Sequence, residues 1–284
     1  MDLGWSQVVS LPVPARIRKS QGPWHGIRVK KVTAFVGSAR KRHTHHAASE
    51  FLANLQSLGD VESEIVALSD YRLETCRGCR VCFDKGEEFC ALKDDRDVLI
   101  RKISSSDGVV FATPTYSFQV SAIMKIFLDR LGFLFHRPRF FGKAFTSIAV
   151  QAIYGGDDVV SYLDFCGNAL GFNTVKGSCV GSLEPITETQ RRKNDTVIAR
   201  HSRRFYGRLA KPALPTPNLL KLMAFRMGRT SMKLMLDEGC RDYRYYADHG
   251  WFESDYYYPA RLNVLQKLTG SLFDSIAAGM VRRR

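Results

Sequence analysis

No run in the 284-residue sequence reaches eighteen consecutive apolar residues, which excludes a membrane-spanning helix. The first thirty residues carry no continuous apolar stretch of the kind that directs secretion, so a secretory signal is not expected. The glycine-bearing turn that begins at Gly37 has neither G-x-G-x-x-G nor G-x-x-x-x-G-K-[ST], which argues against a Rossmann dinucleotide site or a P-loop there. No Ser/His/Asp set or carboxylate pair presents itself, so no catalytic side chain is assigned. Negative charge is scarce: 28 Asp and Glu face 42 Lys and Arg, a formal net charge of +14. From Arg191 onward the imbalance is 19 Lys/Arg against 8 Asp/Glu. Such a tail is usually a solvated basic face, and it also suits an acidic protein or a peripheral contact with an anionic membrane. No zinc-finger or RRM pattern accompanies it, so nucleic acid is not an expected partner.

What the sequence does have is thiol chemistry. Four of its seven cysteines fall in the stretch C-R-G-C-R-V-C-F-D-K-G-E-E-F-C, as Cys76, Cys79, Cys82 and Cys90. A C-x2-C-x2-C run lets one tight loop wrap three thiolates around a single inorganic centre, as in bacterial ferredoxins. Zinc more often uses two separated knuckles, because four ligands must converge tetrahedrally on one small ion. Gly78 keeps the loop compact, while Arg77 and Arg80 supply positive charge expected to lower thiol pKa values and offset an anionic cluster. The readings, in order, are a [4Fe-4S] cluster, zinc, and four unrelated buried cysteines. Clustered thiols without a secretion signal point to a reducing, cytoplasmic setting.

With 45% apolar and 25% charged residues the chain is globular, and it is long enough for one large domain or a domain plus an extension. Residues 1–28 show no period and read as a poorly ordered leader. K-K-V-T-A-F-V-G reads as a buried strand, followed by a helix from Thr44 to Leu58. The helix start offers free N–H groups for a phosphate, with Ser38 and Thr44 as hydroxyl donors and Arg40 as a guanidinium fork. V-E-S-E-I-V-A-L is a second strand, and Asp94–Asp95 then caps a helix to about Ser105. D-G-V-V-F-A-T is a third, ending in Pro114, Thr115, Tyr116 and Ser117 before a helix and a Phe/Pro/Arg loop. A-F-T-S-I-A-V is a fourth, followed by Tyr154-Gly155-Gly156 and another helix. T-V-K-G-S-C-V is a fifth, and a basic helix runs from about Thr187 to Leu209. Strands alternating with helices predict an α/β fold with a parallel sheet covered on both faces. Ligands then sit beyond the carboxyl ends of the strands, where the phosphate turn, the cysteine loop and the two tyrosine turns share one rim.

In that order, G-S-A-R-K with Thr44, the four-cysteine run leading into K-D-D, D-G-V-V-F-A-T-P-T-Y-S with M-K-I-F-L-D-R, and the Gly-Gly turn carry a family resemblance. They resemble the NAD(P)H-dependent FMN reductase-like branch of the flavodoxin-like fold, and more narrowly its iron–sulfur flavoproteins. The resemblance covers about residues 29–210. It implies a doubly wound five-stranded parallel sheet, FMN as cofactor, NAD(P)H or a ferredoxin-like donor, and a homodimer or homotetramer. It also implies Ser38, Arg40 and Thr44 at the FMN phosphate, Pro114, Thr115, Tyr116 and Ser117 along the ribityl chain and ring, and Tyr154 and Gly155 near the isoalloxazine. Many members read R-K-x-G-N-T where this chain has Arg42-His43 before Thr44, which leaves Thr44 and His45 as alternatives for facing the phosphate. The expected function is an FMN-dependent oxidoreductase moving electrons through FMN and the cluster. An NAD(P)H:quinone or flavin reductase with structural zinc, and a flavin-free zinc module, are the alternatives.

Pro212, Pro215 and Pro217 open a basic, mainly helical extension over residues 211–284. Leu220, Met223, Ala224, Met227 and Leu234 follow helical spacing and are expected to pack on their own domain or a second subunit, with a membrane surface or a partner as the alternative, and Arg226, Arg229 and Lys233 gather on another face. A last amphipathic stretch runs from Leu262 to Met280.

Overall fold

Strands buried on both faces read as near-continuous apolar runs, and the observed sheet shows why these do. The computed structural model describes residues 29–283, so the leader expected over 1–28 lies outside the described residues. The strands are β1 (Lys30–Val36), β2 (Val61–Ala67), β3 (Gly108–Tyr116), β4 (Gln119–Val120), β5 (Ala144–Gln151), β6 (Asn173–Thr174) and β7 (Ser178–Gly181). Up to residue 210 the helices are α1 (His43–Leu58), α2 (Val81–Asp84), α3 (Arg96–Ser105), α4 (Ala122–Arg130), α5 (Gly132–His136), α6 (Gly156–Ala169) and α7 (Glu188–Ala210). The parallel order is β2-β1-β3-β5, with β6 and β7 sharing the fifth position and β4 pairing antiparallel to β3. That is the doubly wound, flavodoxin-like sheet the alternation predicts.

Side chains alternate sides along each strand. Phe35, Phe111 and Phe145 point to one face, where Leu99 of α3, Phe127 of α4 and Leu163 of α6 cover them. Ala34, Val110 and Ile148 point to the other, under Phe51 of α1 and Phe205 of α7. The fifth strand is interrupted at Gly177, where an added Cβ would lie 2.1 Å from Ser147 Oγ. Across this break Thr146 Oγ1 bonds the Val175 carbonyl, and Asp164 accepts from the Gly177 amide. His201 of α7 fastens the helix to the sheet. Its two ring nitrogens lie 2.6 Å from the Thr146 and Ser178 hydroxyls, and burial pushes its pKa down to about 3. The Phe/Pro/Arg loop expected after α4 contains the short helix α5, because Phe133 and Leu134 turn into the core there.

The extension contributes α8 (Leu219–Met235), α9 (Arg241–Asp248) and α10 (Val264–Arg282). Its own core joins Leu222, Phe225, Tyr246, Trp251 and Tyr256, and Phe141 packs against Trp251, Tyr257 and Tyr258. The expectation that this stripe of α8 packs on its own domain is corrected here. Leu220, Ala224 and Leu234 are exposed, whereas Leu222 and Phe225 are buried together with Arg226 and Arg229. Those two cations can be buried because Asp255 and Asp274 pair with them. Among the described residues no helix is long and apolar enough to cross a membrane.

Candidate functional site

The turn after β1 begins at Gly37, where an added Cβ would meet Met124 Cβ at 2.7 Å. Only glycine fits that approach, and the Ser121 hydroxyl locks it by donating to the Gly37 carbonyl. Ser38 Oγ then donates to the Arg40 carbonyl at 2.9 Å, closing the turn that enters α1. The residue preceding the helix, Arg42, makes no side-chain cap, so the first-turn amides remain open to a ligand.

These groups border a cavity of about 290 Å3 beyond the carboxyl ends of β1, β3 and β5. Ser38, Arg40, Arg42 and Thr44 form its cationic end, and Pro114, Thr115 and Tyr116 line a second wall. Thr44 borders the cavity and His45 does not. Thr115 Oγ1 is buried without any hydrogen-bond partner among the described residues, a costly arrangement unless a ligand supplies one. Opposite, Ala152, Ser182 and Glu184 complete the lining. Glu184 Oε1 lies 2.8 Å from His43 Nε2, and this hydrogen bond holds its carboxyl below the usual range.

Ser117, Tyr154 and Gly155 stand beside this cavity and do not line it. Ser117 and Phe118 both take left-handed backbone angles, φ 48° and 60°, so the chain can reverse between β3 and β4. The reversal presents the Phe118 ring to Tyr154 at 5.1 Å between centroids. Gly155, at φ 90°, leaves room for it, since an added Cβ would lie 3.0 Å from Phe118 Cδ1. The result is an exposed aromatic shelf of Tyr116, Phe118 and Tyr154. Sequence reasoning missed Phe118, along with Arg42, Ser182 and Glu184. Phe118 had a readable signal, an aromatic two residues beyond Pro-Thr-Tyr. Ser182 and Glu184 had none, because they reach the rim from the end of the fifth strand.

The cysteine loop follows β2. Its base is fastened by carboxylates that the sequence reading had assigned to capping α3. Asp95 accepts from the Arg72 amide at 2.7 Å, and Asp94 from the Glu74 amide at 3.0 Å. Asp94 also reaches the Arg96 amide at 3.3 Å, so it serves helix and loop together. Arg130 of α4 grips Asp94 with two hydrogen bonds of 3.0 and 2.9 Å. Left-handed angles at Gly78 and Arg80 (both φ 64°) curl the loop.

Cys76, Cys79, Cys82 and Cys90 all line one cavity of about 90 Å3, with Arg77, Arg80, Arg96 and Arg130 around it. Burial alone would push the Cys90 thiol up. The hydrogen bond from Arg130, at 3.4 Å, and the Arg130 and Arg96 charges outweigh it and bring the thiol below its ordinary value. Burial raises Cys82, with Arg137 opposing. Among the described residues, no group of three or more Cys, His, Asp or Glu side chains is arranged to hold a metal ion. Donor set and surrounding charge fit an anionic sulfur-ligated centre, while the four thiols are not drawn together into a coordination sphere.

The family model described as NADPH-dependent FMN reductase matches residues 30–182. An iron-sulfur flavoprotein of Archaeoglobus fulgidus is 35% identical over 158 residues, covering 52% of this chain and 70% of that protein. Another iron-sulfur flavoprotein, from Clostridioides difficile, is 28% identical over 185 residues, covering 61% of this chain and 77% of that one. Among solved structures, RosB with bound 8-demethyl-8-formylriboflavin-5'-phosphate superposes with a TM-score of 0.54 at 14% identity, over 83% of this chain and 92% of RosB. An NAD(P)H:quinone oxidoreductase from Methanothermobacter marburgensis gives 0.50 at 14% identity, over 61% and 98%. At these identities the structural likeness is one of fold. The matched segment contains both the cationic turn and the four-cysteine loop, and on that ground the chain belongs to the NADPH-dependent FMN reductase family, with the iron–sulfur flavoproteins, and is an FMN-dependent oxidoreductase.

Proposed function

We propose that this chain is an electron-transfer flavoprotein that carries electrons from a reduced donor, NAD(P)H or a ferredoxin-like protein, to an acceptor through FMN and a [4Fe-4S] cluster. The observation that carries the reading is two cavities on one rim, one with a cationic end and an unpartnered Thr115 hydroxyl, the other bordered by four thiols. When bound, FMN supplies the exchange between a hydride pair and single electrons, and the cluster supplies one-electron storage.

In this reading Arg40 and Arg42, with the open amides of α1, hold the FMN phosphate, and Ser38 and Thr44 donate hydroxyl hydrogen bonds to it. Thr115 offers its free hydroxyl to the ribityl chain, and Pro114 and Ser117 shape that wall. Tyr116, Phe118 and Tyr154 give the flavin ring an aromatic border that excludes water, with Gly155 leaving space for it. Cys76, Cys79, Cys82 and Cys90 are the cluster ligands. The cations around them offset its negative charge, and the Arg130 hydrogen bond favours the thiolate form of Cys90.

The test is an absorbance spectrum of protein purified without oxygen, with iron, zinc and flavin analysis. FMN near one equivalent with about four irons per chain is expected. FMN with stoichiometric zinc and no iron makes the cysteines a structural clamp and the protein a flavin or quinone reductase. A colourless protein ends the flavin reading. Cys82→Ser sharpens the test: iron and the cluster's broad visible absorbance should be lost, while FMN and its reduction by hydride persist.

A further inference from the structure

Leu265, Leu268, Leu272, Ile276 and Met280 recur every three or four residues along α10 and are between 43% and 69% exposed. The far side of the helix is spent on packing, with Gly270 and Ala277 buried. Its neighbour is α8, and the two run in the same direction. Gln266 near the start of α10 bonds the Pro217 carbonyl, Gly270 lies against Arg226, and Asp274 further along meets Arg229 and Thr230. The stripe of Leu220, Ala224 and Leu234 on α8 also faces away from the extension's core. Among the described residues, two adjacent helices therefore each present an uncovered apolar stripe.

Charge on this pair is of one sign. No Asp or Glu occurs in α8, and α10 has only Asp274, which is turned inward onto Arg226, Arg229 and Thr230. Lys267, Arg282 and Arg283 are exposed along and just after α10, and Arg261 is exposed just before it. The outward face is an apolar band with cations at both ends, and the nearby exposed carboxylates, Asp237 and Glu238 beyond α8 and Glu253 paired with Lys233, lie outside the two helices.

We propose that the α8–α10 face docks the protein on an anionic phospholipid surface, with α10 lying in the plane of the interface. The stripe from Leu265 to Met280 runs roughly 22 Å at about 1.5 Å per residue. That length lies along the boundary between headgroups and acyl chains, where Lys and Arg meet lipid phosphates. A second copy of the chain fits less well. Pairing two such faces brings like cations together with no outward carboxylate on either helix to balance them. The face is also small, about 22 by 20 Å or on the order of 440 Å2, roughly half of the ~800 Å2 per partner of stable complexes. This inference is independent of the flavin and cluster reading.

The test uses the full chain with its flavin, sedimented with vesicles of phosphatidylcholine alone or with about 30% phosphatidylglycerol. Binding to the anionic vesicles should be at least about tenfold tighter and should weaken as salt is added. The double substitution Leu268→Glu and Leu272→Glu should reduce that binding at least about tenfold, with melting temperature and flavin content unchanged, because both side chains are solvent-exposed. Replacing Arg282 and Arg283 with Ala should cost about tenfold to thirtyfold, on anionic vesicles only. Equal binding to both vesicle types, or binding to neither, overturns the proposal. So does light scattering that shows a dimer which the double Leu→Glu variant converts to monomer, since the face then belongs to a second copy.

Discussion

Replacing Arg130 with Met would leave Asp94 as a buried carboxylate without its cation. The two side chains are 3% and 1% exposed, so water does not substitute for the lost partner. Breaking such a pair from one side costs about 3–5 kcal/mol. Asp94 keeps the Glu74 and Arg96 amides, at 3.0 and 3.3 Å, which places this case at the lower end. About 3 kcal/mol in a chain of this size corresponds to a fall in melting temperature of roughly 6–12 °C. A second readout is local. Arg130 Nη1 lies 3.4 Å from Cys90 Sγ and helps lower that thiol. In Arg130→Met, iron-depleted protein should alkylate at Cys90 with its pH midpoint moved upward. Adding Asp94→Leu should restore much of the melting temperature, because both charges are then gone, but not the Cys90 midpoint. Iron content should fall in both variants while FMN is retained. An Arg130→Met protein that melts like the parent and alkylates at the same pH would refute the reasoning.

Three further outcomes are expected. Arg40→Ala removes a charge-assisted contact worth about 1.5–3 kcal/mol, so an FMN titration should show affinity lowered roughly 10- to 150-fold with the fold intact. Thr115→Val should weaken FMN by about 0.5–1.5 kcal/mol, yet leave the apoprotein as stable as before or more so, because the buried hydroxyl has no partner without ligand. His201 sets an acid limb. Its folded pKa of about 3 lies below the ordinary 6.5, so its contribution is complete above pH 6.5. As pH falls below that value the unfolded chain takes up a proton that the folded one refuses, at a cost of about 1.4 kcal/mol per pH unit. Denaturant melts between pH 7 and 4 should show this slope, and His201→Gln should flatten it by one proton.

The sheet was legible because parallel strands announce themselves as short apolar runs separated by helical periods, and five such runs precede Gly181. The rim followed from topology, and Ser38, Arg40, Thr44, Pro114, Thr115 and Tyr116 do meet in one cavity. Spacing failed on α8 for an identifiable reason. A helical wheel ranks Arg226 and Arg229 as surface residues, and only the distant Asp255 and Asp274 make their burial affordable. Asp94 and Asp95 were legible only in part. Asp94 does cap α3 at the Arg96 amide, but Asp95 makes no cap, and the strongest partners of the two are Arg72, Glu74 and Arg130, up to 36 residues away. Pairings of that range leave no periodic trace.

The same kind of long-range pairing ties the extension to the cysteine loop. Asp242 of α9 is 1% exposed and lies 3.3 Å from Arg137 Nε and 2.7 Å from His136 Nδ1. Arg137, itself fully buried, passes the connection on, donating at 2.9 Å to both the Cys82 carbonyl and Glu87. Cys240, just ahead of α9, donates through sulfur to the Phe83 carbonyl at 3.3 Å. The backbone at and just after the third thiol in the run is thus held by Cys240 directly and by Asp242 through Arg137, and both Cys240 and Asp242 lie beyond residue 182, where the family match ends. A buried cation held between two acidic partners is stable only while both remain, since losing one leaves charge without compensation. It follows that Asp242→Ala, although it touches none of the four cysteines, should loosen the loop at Cys82 and lower iron content, with FMN unaffected. Iron analysis beside flavin analysis reads this directly, and iron held at the parental level would show that the loop keeps its shape without the extension.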